Sequence, residues 1–277
     1  MSNPLPPILS WPRSWFFATK NGLIEPLQYA FAHYSLLWML AKRDIAGRTS
    51  GTVLGAGWLI LQPGLQLLGF WFLMDMVLQI RFPGRVSFVE YFIVGMLTWF
   101  FIADVLSRSL TVFQEYASLY QRALFPLAIL PLIPLLMSGL IYTLVNVITA
   151  TLMIGPAAAP LALFNMLVLM LWLIPLVYLL AVIGIFLKDL GQIFPFFITL
   201  TMYLTPILYK PDMMPDAMQW VLVINPFADI MSLIHGGLQD MTWNGYHILR
   251  PVILWLLLLG PAWMLFRRAE PHVREML

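Results

Sequence analysis

Apolar positions in this chain come in unbroken blocks rather than in stripes. Six blocks approach or exceed the about 20 residues that a helix needs to cross a bilayer: residues 57–80, 90–113, 131–154, 161–187, 193–209 and 246–266. A helix packed on a water-soluble core keeps a polar face at a period of 3.6 residues, and these blocks keep none. The pattern predicts an all-α polytopic membrane protein with six transmembrane helices. It divides the chain into an N-terminal segment over 1–56, a six-span domain over 57–266 and a tail over 267–277.

Three stretches between the blocks carry a finer pattern. Residues 28–41 (QYAFAHYSLLWMLA) are apolar and aromatic but too short to span, and they run into Lys42-Arg43-Asp44. Tyr29, Trp38 and the terminal basic pair suit a helix lying at the membrane–water interface. Its polar stripe of Gln28, Ser35 and Lys42 is thin, so a helix packed on the bundle is the competing reading. Residues 114–124 (QEYASLYQRAL) put Tyr116, Leu119, Tyr120 and Ala123 on one helical face, with Glu115, Ser118 and Arg122 on the other. Pro126 then stops the helix. This two-faced segment is either a docking element for a cytoplasmic partner or a plain connector. Residues 210–245 hold two helix-start signals, Pro211-Asp212 with Pro215-Asp216, and Asn225-Pro226. The apolar pieces 217–224 and 228–234 are too short to cross. They read as half-helices dipping into the outer leaflet under a cover of protein.

Composition sharpens the class. The chain is 61% hydrophobic and 10% charged, with a mean hydropathy of +0.86, which leaves no room for a separate soluble catalytic domain. It has no cysteine, which excludes disulfides, thiolate nucleophiles and sulfur-ligated metals. The first twenty residues are rich in proline and aromatics and lack the order of a cleavable signal. Basic residues collect on the cytoplasmic side of a membrane. With the N-terminus inside, Arg13, Lys20, Lys42, Arg43, Arg48, Arg108, Arg122, Lys188, Arg267, Arg268 and Arg274 fall inside, and only Arg81, Arg85, Lys210 and Arg250 outside. Both termini are expected in the cytoplasm, and no nucleic-acid partner is expected.

Candidate chemistry is sparse. His33, His235, His247 and His272 are scattered and read as interfacial or capping residues, so no metal site is expected. No nucleophile–base set stands out. No phosphate-binding loop is present either, since the chain has no Gly-Lys pair. Energy for any work would come from a partner or an ion gradient. Ionisable groups within spans are the default functional candidates. Asp75 and Glu90 sit near span ends. Asp104 lies deeper, with Arg108 at i+4, a spacing that allows an ion pair on one helix face; the pair is structural in one reading and a transport site in the other. Aromatics make up 14% of the chain, and most suit belts at the interfaces. As stacking faces for pyranose rings, Phe70, Trp71, Tyr91, Trp99 and Tyr203 are candidates for the wall of a glycan conduit.

The run KRDIAGRTSGTVLGAGWLILQP over 42–63 joins Arg-Asp-Ile, Gly-x-x-Leu-Gly, Trp and Pro. It resembles the entry to the first span in membrane subunits of ATP-binding cassette exporters for bacterial surface polysaccharides. The resemblance continues through VGMLTW (94–99), LSRS (106–109), ASLYQRALFPLAILP (117–131), YLTPILY (203–209) and INPFADI (224–230). It is nearest to exporters of O-antigen and related glycans.

The resemblance implies a six-span subunit acting as a homodimer, with a separate nucleotide-binding subunit that holds ATP and magnesium. This chain would then have no cofactor and no enzyme activity of its own. By position, 114–124 would be the coupling helix, with Tyr116, Leu119, Tyr120, Arg122 and Phe125 meeting the ATPase. Residues 210–245 would be two re-entrant helices, and spans one, two and five would line the conduit. The cargo implied is a lipid-linked polysaccharide leaving through the bacterial cytoplasmic membrane. One departure is Leu127-Ala128, where relatives often carry Arg-Glu. A drug or small-molecule exporter of the same fold, or an ion-coupled carrier, is the alternative.

Overall fold

The computed structural model describes residues 11–82, 87–117, 125–237 and 245–276, and among them there is no strand. Two helices precede the first span, α1 (Trp11–Ala32) and α2 (Tyr34–Thr49), broken at His33. The single interfacial helix expected over 28–41 is therefore two, with the joint inside it. α1 runs along the last helix, α10 (Gly245–Met276). Small residues set that closeness: a Cβ on Gly22 would come 2.7 Å from the Leu259 carbonyl oxygen, and one on Gly260 would come 2.8 Å from Thr19 Oγ1. Trp263 Nε1 donates to Glu25 Oε2 at 3.1 Å across the same contact. α1 is thus a helix packed on the bundle, whereas α2 lies on α5 with Tyr34, Trp38 and Met39 exposed.

The spans follow the apolar blocks with shifts at their ends. α3 (Trp58–Trp71) passes into a π-helical turn, Phe72–Val77, and little of it is covered by the rest of the chain. α4 (Phe88–Glu115) opens on a capping box: the Glu90 backbone N–H donates to Ser87 Oγ, and the Ser87 N–H donates to Glu90 Oε2, both at 3.2 Å. Its 28 residues make it about 42 Å long, against about 30 Å of hydrocarbon. α5 (Leu132–Met153) and α6 (Ala159–Phe186) pack on α4, and α10 packs on α6. Apolar contact earns little in lipid, so close packing and polar ties hold these helices together.

Two expectations are corrected at helix ends. α7 (Leu190–Leu204) has 15 residues, about 22 Å, and stops short of the expected end at 209. The residue before a proline is driven out of the helical region, and Thr205, before Pro206, is extended at φ −95°, ψ 139°. Among the described residues, five helices are long and apolar enough to cross a bilayer, with α7 shorter. α10 does not end near 266: the expected tail continues as helix to Met276 and buries Ala269 and Val273. Between α7 and α10, α8 (Trp220–Ile224) and α9 (Pro226–His235) meet at 95°. Asn225 makes that corner. Its Oδ1 accepts from the Phe227 N–H at 3.0 Å, and its Nδ2 donates to Thr205 Oγ1 at 2.8 Å and to the Leu204 carbonyl at 3.2 Å.

Candidate coupling site at the basic end

The C-terminal end of α4 meets α2 in a cluster of charges. Asp44 is buried beside Arg108, which donates to its Oδ1, while Arg48 Nε lies 3.2 Å from Oδ2. Arg48 Nη1 also reaches Asp104 at 3.7 Å, and Ser138 on α5 donates to Asp104 Oδ2. The expected Asp104–Arg108 pair along one helix face is corrected: both side chains turn to α2 instead. Spacing at i+4 allows a local pair, but α2 offers Arg108 a buried carboxylate and Asp104 a second guanidinium. Tyr116, the cap of α4, reaches Asp44 Oδ1 with its hydroxyl at 3.5 Å, and Arg43 lies 5.4 Å over its ring. Burial raises the Asp44 carboxyl above its ordinary 3.8 against the pull of Arg48 and the Tyr116 hydroxyl. Burial, with Asp44 beside it, also raises the Tyr116 phenol, so the hydroxyl stays a donor. A cavity of about 380 Å³ opens here between Arg43, Arg48, Arg108, Glu115 and Tyr116.

The chain on both sides of residues 118–124 is fixed. On the outgoing side, Gln114 Nε2 donates to the Gly184 carbonyl of α6 at 3.1 Å. α4 and α6 come so close here that a Cβ on Gly184 would lie 1.8 Å from the Leu110 carbonyl oxygen. Gln114 and Glu115 are the last turn of α4, so the helix expected over 114–124 begins as the end of a span. On the returning side, Leu127, Ala128 and Ile129 are buried, and the Tyr178 hydroxyl donates to the Ala128 carbonyl at 2.6 Å. Phe125 packs against the core. Leu119, Tyr120 and Arg122 lie outside the described residues.

The candidate conduit aromatics divide. Trp99 is 1% and Tyr91 5% exposed, so both belong to the interior of one copy rather than to the wall of a conduit. Trp99 sits edge-on to Phe227, which meets Trp172 in the same way. Tyr91 donates to the Pro206 carbonyl at 2.9 Å and stacks on His235 at 3.7 Å. The cause is α9, which folds back over α4 and covers the face that a periodicity argument leaves open. Phe70 lies 6.2 Å from Phe92 and, with Trp71, is partly buried; Tyr203 is exposed.

Sequence reasoning missed the contacts that hold α9. Asp229 is 3% exposed and faces His247 Nδ1 at 2.9 Å and Arg250 Nη1 at 2.8 Å, both on α10. His235 Nε2 lies 3.1 Å from the Tyr91 carbonyl. The one signal on offer was an acidic residue one turn into a short apolar helix.

A family model described as ABC-2 type transporter matches residues 35–238, from α2 through α9. The chain is 25% identical over 225 residues to an O-antigen export system permease protein of Klebsiella pneumoniae, covering 76% of this chain and 82% of that one. A protein of the same description from Myxococcus xanthus is 26% identical over 222 residues, with 76% and 82% covered. The family match takes in the charged α2–α4 junction, the bracketed segment and the bent α8–α9 pair, and on it this multi-pass membrane protein belongs to the ABC-2 type transporter family.

Proposed function

We propose that this chain is the membrane-spanning subunit of an ATP-driven exporter that moves a lipid-linked, O-antigen-type polysaccharide across a bacterial cytoplasmic membrane. The family and the descriptions of the similar permeases support this reading. Two copies would enclose the conduit, and a separate nucleotide-binding subunit would hold ATP and magnesium. The basic end would face the cytoplasm, as the distribution of Lys and Arg favours, with both termini there. α3 is the least covered span, and its exposed apolar side would face the second copy. α8 and α9 would be the re-entrant pair at the far end.

The observation that carries the proposal is the bracket around 118–124. Its outgoing end is tied to α2 and α6 through Tyr116 and Gln114, and its returning end to α6 through Tyr178. A push delivered between two fixed ends passes into α4 and α5 instead of being absorbed by a loop. Leu119, Tyr120 and Arg122 would meet the ATPase, with Tyr116 and Phe125 at the margins.

The test is purification of the tagged chain from its native membrane, with the proteins that accompany it identified. We expect a nucleotide-binding subunit in equal amount, lost when Tyr120→Ala and Arg122→Glu are combined in a chain that still reaches the membrane. A chain that purifies alone, with activity that follows an ion gradient, would overturn the proposal in favour of a carrier.

A further inference from the structure

α2 and α5 do not close on one another along their whole contact. Four residues of α2 from Tyr34 to Ala41 face four of α5 from Ile133 to Leu140, each set at i, i+3, i+4 and i+7. Two such stripes in contact would interdigitate. Here they stand apart around an open groove of about 490 Å³, walled by Leu37, Trp38, Leu136 and Met137. That volume falls within the range of about 300–1,000 Å³ found for ligand sites.

The depth of the groove follows from its neighbours. Its α5 wall brackets Ser138, which bonds Asp104, and Asp104 faces Arg48 of α2. The α5 wall is the first two turns of that helix, and the α2 wall runs into the exposed Lys42 and Arg43, so the groove lies near the end of the spans, in the leaflet at the basic end. One cation stands at its rim. Lys42 is exposed, with its Nζ 5.4 Å from the centroid of the Trp38 ring, and no carboxylate pairs with it among the described residues.

We propose that this groove holds one anionic glycerophospholipid of the surrounding leaflet, with an acyl chain between α2 and α5 and the phosphate on Lys42. Charge and polarity choose the occupant. The lining side chains offer two polar groups, the Tyr34 hydroxyl and the Trp38 indole N–H, so a peptide would bury most of its backbone amides unpaired there. An acyl chain has none to pair. The unpaired ammonium at the rim selects an anionic head, as basic sites between helices at a cytoplasmic face do. The lipid would bridge two helices that otherwise leave a gap, and the inference does not depend on what the protein exports.

Native mass spectrometry of the full chain, purified in detergent and titrated with phosphatidylglycerol or phosphatidylcholine, tests this. The unaltered chain should retain one phosphatidylglycerol in preference to phosphatidylcholine. Lys42→Gln should lower that retention about fivefold, the factor one membrane-proximal cation is worth, and bring it level with phosphatidylcholine. Filling the groove by Met137→Trp, or by Leu136→Trp if the first variant does not fold, should abolish retention of both lipids. Equal retention by the unaltered chain and Lys42→Gln, or by the folded groove variant, overturns the proposal. So does a polyprenyl-linked glycan, rather than a glycerophospholipid, as the molecule that leaves the native-membrane preparation when the groove is filled.

Discussion

Asp44 takes the charges of two arginines and the hydroxyl of a tyrosine while nearly out of contact with solvent. Removing one member of such a set leaves its partner buried and uncompensated, which costs about 3–5 kcal/mol, whereas replacing a pair by apolar groups of similar volume is close to neutral. Asp44→Ala should therefore destabilise the purified chain by several kcal/mol in a denaturant titration. Asp44→Leu with Arg108→Met should recover most of that loss, and a double variant as weak as the single would contradict the pairing. Gly184 carries a different kind of constraint. With the Leu110 carbonyl 1.8 Å from where a Cβ would stand, Gly184→Val must push α4 from α6, at a cost of at least about 1–3 kcal/mol. Gly191→Ala is the matched control, because its new methyl would meet only Thr111 Cγ2, at 3.6 Å, and should leave the titration unchanged. Neither position can be recognised from its neighbours in sequence, since both requirements come from a helix far away along the chain.

At the scale of the element, lipid makes helices easy to read and their contacts hard. Four of the six apolar blocks are helices to within a few residues, because every backbone polar group in a bilayer must be satisfied within its own segment. α7 is the instructive miss. Pro206 was in view, and the extended preference it imposes on Thr205 was enough to end the helix. The joint at His33 had no such signal, as no proline or glycine sits there. The Asn225 corner was legible from Asn-Pro alone, but its ties to Leu204 and Thr205 were not. On the returning side of the bracket, Tyr178→Phe removes the donor to the Ala128 carbonyl and leaves a buried acceptor unpaired, worth about 1–3 kcal/mol. If residues 118–124 transmit force, a vesicle reconstituted with the ATPase should then export less glycan per ATP hydrolysed. Unchanged stoichiometry would place the transmission elsewhere.

For the whole molecule, the uncovered side of α3 is where the proposed second copy would pack. Because the chain has no cysteine, one introduced thiol reports without background. In native membranes, Leu65→Cys on α3 should cross-link two copies through a short bismaleimide, and Leu167→Cys on α6 should not, although both residues are exposed in the single chain. Equal yields at the two sites would rule out α3 as the seam. Composition and charge placed the chain in a membrane, but which of its apolar faces meet lipid and which meet protein is not written in hydropathy, since both are equally oily. The junction of α2 with α4 bears on how such a chain is made. The ribosome releases Asp44 64 residues ahead of Arg108, an interval of roughly 3–13 s at ordinary synthesis rates. With the basic end in the cytoplasm, as proposed, the carboxylate would already be at the membrane surface when the arginine emerges. α4 would then meet its counter-ion at once and need not hold an uncompensated cation until later helices arrive.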